Sequence, residues 1–324
     1  MLPVSLVILS HNRLKDLRRN IERLLSECGA PGELEMIIVD NNSTDGTQAY
    51  LQDLQRRRAE LVVVLNDKNL GVAGGRNSGF ARVQREFVVA QDDDTAIAME
   101  DVKKAPHLFG QFPHAGILAF RVVHPETGEL QNDHGSAPCE VANHHGAGFA
   151  FRSALYSELG GIDEECDFGA EELDFAIRVR ADGWQIMYTP ELTVYHNNSP
   201  AKGEAMKYRR IRRVYNNVRT YYKYFPRRMA FRNSSRYILL AARRWALDVG
   251  AGTVGQVFGA GLKGRKRGLV QHRPVPRETA AFYDNPLLRP EFGNVPLLSK
   301  FFARTPVGSN PGQLRPAPSK RCQP

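Results

Sequence analysis

The sequence predicts an α/β protein built on a mostly parallel sheet flanked by helices, and three observations support this class. Short β-rich runs alternate with helical stretches over the first 200 residues, which is typical of strand–helix–strand units. The runs Met36–Val39 and Phe87–Ala90 are uninterrupted and apolar, as buried parallel strands are. Each of the first four strands ends in polar residues, and open α/β sheets bind ligands beyond the carboxyl ends of their strands.

Hydrophobic periodicity places the elements in order. The predicted strands are Val4–Leu9, Met36–Val39, Leu61–Leu65, Phe87–Ala90 and Leu192–Tyr195. A helix is predicted over Leu14–Glu27 because its leucines and Ile21 recur at helical spacing. Capping residues precede a second predicted helix over Thr47–Arg58. A third is expected over Arg76–Gln84, and a basic, aromatic one over Met206–Phe225, which Pro226 ends.

Composition narrows the protein class further. Hydrophobic residues make up 42% of the 324 residues, which suffices for a sizeable core without disulfides. The four cysteines are scattered and lack CxxC spacing, so we expect reduced thiols. No apolar run approaches the roughly 18 residues of a transmembrane helix, and the N-terminus lacks a secretory pattern. We therefore expect a cytoplasmic location.

The charge is divided unevenly along the chain. Residues 1–200 carry 18 Lys and Arg against 30 Asp and Glu, whereas residues 201–324 carry 26 against 5. The net charges are therefore −12 and +21. The acidic part could hold cations, and the basic part could contact phospholipid, an acidic partner or nucleic acid. The alternative is that the arginines only solvate helices.

Three segments follow from these patterns. Residues 1–204 form the predicted α/β domain, and residues 205–272 form a basic, mainly helical region. Residues 273–324 are a Pro-rich extension, and its tail from about residue 305 is expected to be disordered.

The sharpest motif is Asp92-Asp93-Asp94, directly after the fourth strand. Three adjacent carboxylates repel one another unless a cation neutralises them. Mg²⁺ and Mn²⁺ take oxygen ligands and leave positions for diphosphate oxygens, and such an ion stabilises a diphosphate leaving group. The alternatives are a solvated acidic turn or a helix N-cap before residues 96–104.

The second motif is the glycine-rich run Asn69–Gly79. Glycines permit close approach of the backbone to a ligand, and Arg76 is suited to phosphate or to the acidic cluster. The alternative is an ordinary glycine-rich turn that opens a helix. The spacing is not GxxxxGK[ST], which disfavours a Walker-type NTPase.

The third motif, Glu171–Asp174, is predicted to begin a helix. A carboxylate there could act as general base toward an acceptor hydroxyl, or both glutamates could simply favour the helix dipole. Asp174 and Arg178 are expected to form an i,i+4 ion pair. His196 ends a predicted strand, where a neutral imidazole suits a third metal ligand or is ordinary polar surface. The other histidines, His134, His144 and His145, are interpreted as acceptor-site or structural groups.

The order of these motifs resembles bacterial members of glycosyltransferase family 2, an inverting group with the GT-A fold. The motifs are Ser10–Arg13, Val39–Thr47, Asn69–Gly79, Asp92–Asp94, Gly146–Arg152, Gly160–Glu164, Glu171–Asp174 and Tyr195-His196. The resemblance covers about residues 3–225 and implies a Rossmann-like sheet followed by a basic helical region.

The resemblance also implies roles for individual residues. The donor site would comprise Ser10, Asn12, Arg13, Asp40, Asn42, Gly71, Arg76, Asn77, Asp92 and Asp93, with Asp40 on the nucleobase and Asp92 near the ribose. The Mn²⁺ or Mg²⁺ ligands would be Asp94, Asp92 and His196. Glu172 takes the place of the general base, where the family usually has Asp, so Glu171 and Asp174 remain candidates.

The implied reaction moves a hexosyl or deoxyhexosyl group from a UDP-, dTDP- or GDP-linked sugar to an acceptor. The acceptor could be a carbohydrate, a lipid-linked glycan, a peptide or a natural product. Five tyrosines among arginines are expected to line an acceptor groove or to lie at an anionic membrane. They are Tyr208, Tyr215, Tyr221, Tyr222 and Tyr224.

Other functions remain open at this point. One alternative is a basic nucleic-acid- or membrane-binding protein with a non-catalytic nucleotide-sugar domain, but this hypothesis does not account for the acidic cluster. We therefore expect no nucleic-acid partner. A sugar-nucleotide pyrophosphorylase would need a basic glycine-rich segment where the chain has Ser10–Arg13. Hydrolysis of a nucleotide-sugar, or a degenerate transferase that only binds its ligand, is also compatible with the motifs.

Overall fold

The computed structural model describes residues 1–30, 32–132, 134–197, 203–248 and 251–285. The strands β1–β9 are Val4–Ser10, Glu35–Asp40, Val62–Leu65, Phe87–Asp92, Thr95–Ile97, Ala115–Val123, Cys139–Glu140, Gly148–Arg152 and Gln185–His196. The helices α1–α10 are Leu14–Glu27, Thr47–Arg57, Gly71–Phe80, Met99–Gln111, Ala154–Glu158, Glu171–Ala181, Gly203–Tyr224, Arg227–Asp248, Val254–Val270 and Arg277–Asp284. The predicted tail from residue 305 lies outside the described residues.

The strands form one sheet in the order β3-β2-β1-β4-β8-β6-β9-β5, and β7 pairs with β9. The first four strands of this order are parallel, as predicted. β8 is antiparallel to both of its neighbours, β4 and β6, and β9 is parallel to β6 but antiparallel to β5 and β7. The sheet as a whole is therefore mixed, and its parallel part carries the edge where ligands are expected.

Apolar residues cover both faces of this sheet. One core cluster joins β1 and β2 with α1, α2 and α4, and the other joins their opposite faces with α3 and α6. Helix α1 begins and ends as predicted and buries Leu17, Ile21 and Leu24 against the sheet. Two-sided burial explains why β1 and β2 read as continuous apolar runs.

The glycine-rich motif is itself a helix, so the prediction of a turn followed by a helix over 76–84 is wrong. Helix α3 begins at Gly71 and ends at Phe80. A Cβ on Gly75 would lie 2.6 Å from Leu9, and one on Gly79 would lie 2.7 Å from Val7 and 2.8 Å from Val39. These two glycines therefore serve close packing of the helix on the sheet, and not approach to a ligand.

The segment after the aspartates also differs from the helix considered as an alternative. Thr95–Ile97 forms β5, which pairs antiparallel with the end of β9, and α4 begins only at Met99. This pairing sets Thr95 opposite His196. It brings the acidic motif and the late histidine together, although about 100 residues separate them in sequence.

The C-terminal helices pack around α7. Both α8 and α9 contact it, and α9 approaches most closely through glycines. A Cβ on Gly264 would lie 2.4 Å from the Tyr215 carbonyl oxygen, and one on Gly268 would lie 2.4 Å from that of Arg219. The separation of two such glycines by one turn allows two helix backbones to meet. The proposed division of the chain at residues 204 and 272 remains a prediction.

Buried ion pairs attach α7 to the α/β region. The guanidinium of Arg219 is fully buried and lies 3.0 Å from Asp163 and 3.1 Å from Glu165. The ammonium of Lys223 contacts Asp163 and Asp174, at 2.5 and 2.9 Å. Burial alone would lower the pKa of Lys223, but the two carboxylates outweigh burial and raise it. This network fixes α6, which begins with the two glutamates.

Among the described residues, none of the helices is both long and apolar enough to cross a bilayer. The described cysteines, Cys28, Cys139 and Cys166, are free thiols, as predicted. Three of the five tyrosines expected at a groove or lipid interface are instead buried, namely Tyr221, Tyr222 and Tyr224. They face inward because α7 is the central helix of the C-terminal group.

Candidate active site

Three parallel strands bring polar residues to one edge of the sheet. Ser10 of β1 lies beside Asp40 of β2, and Leu9 lies beside Asp92 of β4. Because these strands run in one direction, the residues that follow them gather at a common carboxyl edge. The predicted clustering of the polar strand ends is confirmed.

Asp40 is completely buried at the end of β2. Its Oδ2 accepts hydrogen bonds from the Ser43 backbone N–H at 2.9 Å and the Gln48 amide at 3.0 Å. Its Oδ1 is buried without a hydrogen-bond partner among the described residues. A buried acceptor without a donor is costly, so this oxygen is suited to accept an N–H from a ligand, as a nucleobase would provide.

Asp93 ties the acidic motif to β1. Its Oδ2 accepts hydrogen bonds from the Ser10 hydroxyl at 2.8 Å and the His11 backbone N–H at 3.2 Å. Burial raises the pKa of Asp93 to about 7, the neighbouring aspartates add to this, and the Ser10 bond and Arg13 oppose it. These contacts give Asp93 and Ser10 a bracing role between two strands.

Asp94 lies between a cation and an imidazole. Its Oδ2 accepts a hydrogen bond from the Arg13 guanidinium at 2.6 Å, and its Oδ1 lies 3.7 Å from His196 Nε2. Burial alone would raise the pKa of Asp94, but His196 and Arg13 outweigh burial and lower it. Asp94 is thus held as a carboxylate that faces the late histidine.

Gln131, in the turn after β6, orients that histidine. Its Oε1 lies 2.6 Å from His196 Nδ1, and its Nε2 donates to the His196 backbone carbonyl at 2.8 Å. A carbonyl oxygen can only accept, so Nδ1 carries a proton and Nε2 is the ring nitrogen that faces Asp94. No sequence pattern marks Gln131, because it is a single polar residue in a polar segment.

This corner fits a Mg²⁺ or Mn²⁺ ion. A carboxylate oxygen and an imidazole nitrogen 3.7 Å apart are within reach of one ion, and both are donors that these metals accept. In the part of the chain that the structure describes, no three His, Cys, Asp or Glu residues form a metal cage. An ion held here would take its remaining ligands from phosphate oxygens and water, as Mg²⁺ commonly does.

Arg76 links Asp92 with the third motif. Its Nη2 donates to Asp92 Oδ1 at 3.0 Å and to the Gly146 carbonyl at 2.7 Å, and its Nη1 lies 3.8 Å from Glu172 Oε1. A Cβ on Gly146 would lie only 2.1 Å from that Glu172 oxygen. Glycine at position 146 therefore leaves room for the carboxylate beside Arg76.

The two glutamates of α6 have different surroundings. The Glu172 side chain is 19% exposed, so a ligand can reach its carboxylate. Glu171 is buried, and its Oε2 lacks a hydrogen-bond partner among the described residues. Burial, with a contribution from Glu172, raises the pKa of Glu171 to about 8. Glu171 is therefore a protonated neighbour at neutral pH, and Glu172 is the reachable carboxylate.

Asp174 belongs to the network that attaches α7. Its Oδ2 accepts from Arg178 at 2.8 Å, which confirms the predicted ion pair. Its Oδ1 accepts from Lys223 at 2.9 Å and from the Tyr224 hydroxyl at 2.8 Å. Its fully buried carboxylate is saturated by these donors, so Asp174 is poorly suited to take a proton from an acceptor.

Asn12 and Asn42 shape the loops around the carboxyl edge. Both adopt the left-handed region, with φ of 54° and 64°, which asparagine tolerates better than most residues. Asn12 Oδ1 accepts the Thr44 backbone N–H at 2.7 Å, and the Asn12 N–H donates to Ser43 at 2.8 Å. These bonds join the loops after β1 and β2 beside Asp40.

Gly71 and Asn77 are engaged with the segment that precedes α6. Gly71 has φ of +71°, and an added Cβ would lie 2.9 Å from the Asp167 carbonyl oxygen. Asn77 donates to the Ile162 carbonyl at 2.9 Å and accepts the Ile162 N–H at 2.9 Å. The structure therefore does not join Asn77 to the acidic cluster, and its amide braces residues 160–164.

Two histidines complete the wall of the site. The His145 ring lies 5.6 Å from the His196 ring, and His145 Nδ1 accepts the Ala147 N–H at 3.1 Å. His144 packs on Phe149, with ring centroids 4.3 Å apart. Burial lowers the pKa of His144 to about 3 and that of His145 to about 4. Both rings are therefore neutral at physiological pH.

The segment that carries the strand ends and the acidic motif is similar to a known protein family. Residues 5–160 match the sequence model described as Glycosyl transferase family 2. The matched segment is just under half of the chain, so the likeness to glycosyltransferase family 2 is stated for this segment. The probable glycosyltransferase YdaM of Bacillus subtilis is 24% identical over 206 residues, which is 58% of this chain. The match spans only about half of that relative, 49% of its length.

Solved structures establish the GT-A fold. The mannosyltransferase PcManGT from Pyrobaculum calidifontis, in complex with GDP-Man and Mn²⁺, is 20% identical with a TM-score of 0.54. The alignment covers 80% of this chain and 73% of PcManGT. TarS 1-349 of S. aureus in complex with UDP-GlcNAc is 17% identical with a TM-score of 0.58, and 84% of each chain is covered. At these identities the likeness concerns the fold alone.

Proposed function

We propose that this chain is an inverting glycosyltransferase that uses a divalent cation and a nucleoside-diphosphate sugar. One observation carries the proposal most directly: Asp94 Oδ1 and His196 Nε2 lie 3.7 Å apart at the edge that Asp40 and Asp92 also reach. PcManGT, of the same fold, was solved with GDP-Man and Mn²⁺. Asp94 and His196 would hold Mn²⁺ or Mg²⁺ here, and Asp92 would lie beside them.

The donor would enter along the ends of β1, β2 and β4. Asp40 would accept an N–H of the base through its unpartnered Oδ1, with the loops of Asn12 and Asn42 beside it. Uracil, thymine and guanine all offer ring N–H groups, so UDP-, dTDP- and GDP-sugars fit this contact. Asp92 would approach the ribose, and Arg13 would add positive charge near the phosphates.

Glu172 would act as the general base. It would accept the proton of the acceptor hydroxyl as that oxygen attacks the anomeric carbon. The new carbon–oxygen bond would form as the bond to the diphosphate breaks on the opposite face, so the configuration inverts. A bound divalent cation would stabilise the negative charge on the departing nucleoside diphosphate. Arg76, 3.8 Å from the carboxylate, would hold Glu172 in place.

Support for Glu172 over the other two acids comes from their surroundings. Glu171 is buried, with a raised pKa, and Asp174 already accepts three hydrogen bonds from cations and a tyrosine. A base has to be ionised and within reach of the acceptor. Carbohydrates, lipid-linked glycans, peptides and natural products all carry suitable nucleophiles, and they are the acceptor classes that we propose to test.

A thermal-shift screen tests the donor site. The protein, stripped with EDTA, would be heated with UDP-, dTDP- and GDP-sugars, each with and without Mn²⁺. Specific binding to the folded state raises the melting temperature, so we expect one donor to do so only when Mn²⁺ is present. Equal melting temperatures for every donor with and without Mn²⁺ would contradict the proposed donor site.

A further inference from the structure

The outward surface of α8 and α9 has an unusual composition. Among the described residues, nine large hydrophobic side chains are exposed, and six of them lie on these two helices. They are Phe231 at 60%, Leu239 at 60%, Leu247 at 78%, Phe258 at 42%, Leu262 at 65% and Val270 at 73%. Single exposed apolar residues are ordinary, but a concentration of them marks an interaction surface.

The polarity of α9 is inverted relative to that of an ordinary amphipathic helix. Its buried face consists largely of small residues, including Gly261, Gly264 and Gly268, which pack against α8 and α7. Its outward side carries the larger apolar residues Phe258 and Leu262, one helical turn apart. A helix stabilised only by its own core would bury these side chains and expose the small ones.

Helix α8 shows the same tendency in part. Its inward side includes Tyr237 and Trp245 but also the polar Asn233 and Ser234, while Leu239 points outward. Burial of apolar side chains in this region is therefore incomplete within the chain. We call the six exposed apolar residues and the basic residues that flank them the apolar–basic face.

The flanking charges are mostly positive. Helices α8 and α9 contain ten Lys and Arg residues and a single acidic residue, Asp248. The exposed basic residues are Arg227, Arg228, Arg232, Arg236, Arg243, Arg244, Lys263, Arg265, Lys266 and Arg267. Three of them, Arg232, Arg244 and Arg267, also pair with Asp284, Asp248 and Glu165. Arginine and lysine beside exposed Leu and Phe are the combination that binds at an anionic lipid interface.

We propose that the apolar–basic face docks on an anionic phospholipid bilayer and holds the enzyme at the membrane surface. The apolar side chains would enter the headgroup region, and the basic ones would meet lipid phosphates. Docking on the bilayer does not depend on the sugar-transfer reaction. It replaces the interface predicted from the tyrosines of α7, most of which are buried.

Other occupants fit this face less well. Nucleic acid would use the arginines but would leave the exposed leucines and Val270 in water. A second copy would present the same positive charge to itself. Residues 286–324 carry six Lys and Arg against one Glu, so their charge is also of the wrong sign. An anionic bilayer complements both the charge and the apolar side chains.

Co-sedimentation of the full chain with lipid vesicles tests the proposal without donor, cation or acceptor. One set of vesicles would be phosphatidylcholine alone, and the other equimolar phosphatidylcholine and phosphatidylglycerol. We expect binding to the anionic vesicles only, weakened by added salt. The double variant Leu239→Gln, Leu247→Gln should bind about tenfold more weakly, because two apolar side chains no longer enter the lipid.

Matched variants distinguish a loss of binding caused by the apolar–basic face from one caused by any loss of surface charge. Arg236→Gln with Arg243→Gln should also weaken binding several-fold, whereas Arg56→Gln with Arg57→Gln, on the exposed side of α2, should leave it unchanged. Glutamine keeps helix propensity, and circular dichroism would check the fold of each variant.

The proposal is overturned if the folded protein does not bind anionic vesicles, or if the leucine variant binds them as well as wild type. It is also overturned if light scattering shows a dimer that the leucine substitutions dissociate, since the face would then bind a second copy.

Discussion

The α/β region and the C-terminal helices distribute charged and apolar groups in opposite ways. In the α/β region, apolar residues fill both faces of the sheet, and the carboxylates of the candidate site lie at its carboxyl edge. In the C-terminal helices, Arg219 and Lys223 are buried, whereas Leu239 and Leu262 are exposed. The inner side of these helices thus pairs with acidic residues. Their outer side exposes apolar side chains that suit an environment less polar than water.

This contrast shows what attaches one region to the other. Buried cations are stable only with well-placed partners, and α7 finds them in the acidic segment 163–174. Because Asp174 lies in α6 beside Glu172, the attachment also positions the proposed base. The C-terminal helices are therefore part of the scaffold of the candidate site and more than an added basic surface.

The largest expected effect concerns the base. Glu172→Gln should lower the transfer rate by about 10²- to 10⁴-fold, the usual contribution of a general base, and should leave donor binding intact. Turnover by a discontinuous product assay and donor affinity by calorimetry measure the two parts. Asp182→Asn, at the exposed end of α6, is the matched control and should behave as wild type. Near-normal turnover by the Glu172 variant would exclude its role as base.

The ion-pair network that attaches α7 to the α/β region can be broken at Lys223. Lys223→Met leaves Asp163 and Asp174 without their shared cation, and removal of one partner of a buried pair costs about 3–5 kcal/mol of unfolding free energy. Urea denaturation measures this loss. Arg57→Gln, which removes an exposed partner of Asp53, should cost less than about 1 kcal/mol. Equal small losses in both variants would show that the attachment is not ionic.

The metal corner can be loosened through Gln131. Gln131→Ala frees the His196 ring to rotate or change tautomer, and loss of such a supporting contact weakens metal binding by about 10- to 100-fold. Electron paramagnetic resonance of free Mn²⁺, recorded with saturating nucleoside diphosphate, gives the affinity. Gln111→Ala removes an exposed Gln–His contact on α4 and should change nothing. Unchanged Mn²⁺ affinity in the Gln131 variant would remove this residue from the site.

The smallest effect is a pH dependence at Glu171. Its pKa in the folded protein is about 8 against an ordinary value of 4.5. The unfolded chain releases this proton near pH 4.5 and the folded chain keeps it to about pH 8, so Glu171 lowers stability progressively across that interval. Glu171→Gln should therefore match wild type below pH 4.5, and its advantage in unfolding free energy should grow steadily between pH 4.5 and pH 8. A constant difference at all pH values would contradict the raised pKa.

The sequence predicted the parallel strands well because burial on both faces of a sheet leaves continuous apolar runs. It failed at α3, since Gly75 and Gly79 suit a turn by propensity and are used instead for contact with Val7 and Val39. Asp94 and His196 remain predicted metal ligands, which the acidic motif, the strand end and the family resemblance all indicate, and the structure places them 3.7 Å apart. Gln131 could not be found, because the contact of its side chain with His196 depends on the pairing of β5, β6 and β9.

Titration calorimetry of a nucleoside diphosphate tests the central claim most directly. Wild type and Asp94→Asn would each be measured with Mn²⁺ and after removal of divalent cations by EDTA. Wild type should bind the nucleoside diphosphate at least about tenfold more tightly with Mn²⁺. The variant should lose this gain, because residue 94, one of the two proposed protein ligands of the ion, no longer carries a negative charge. Wild-type affinity that is the same with and without the cation would contradict a metal-assisted donor site at Asp94 and His196.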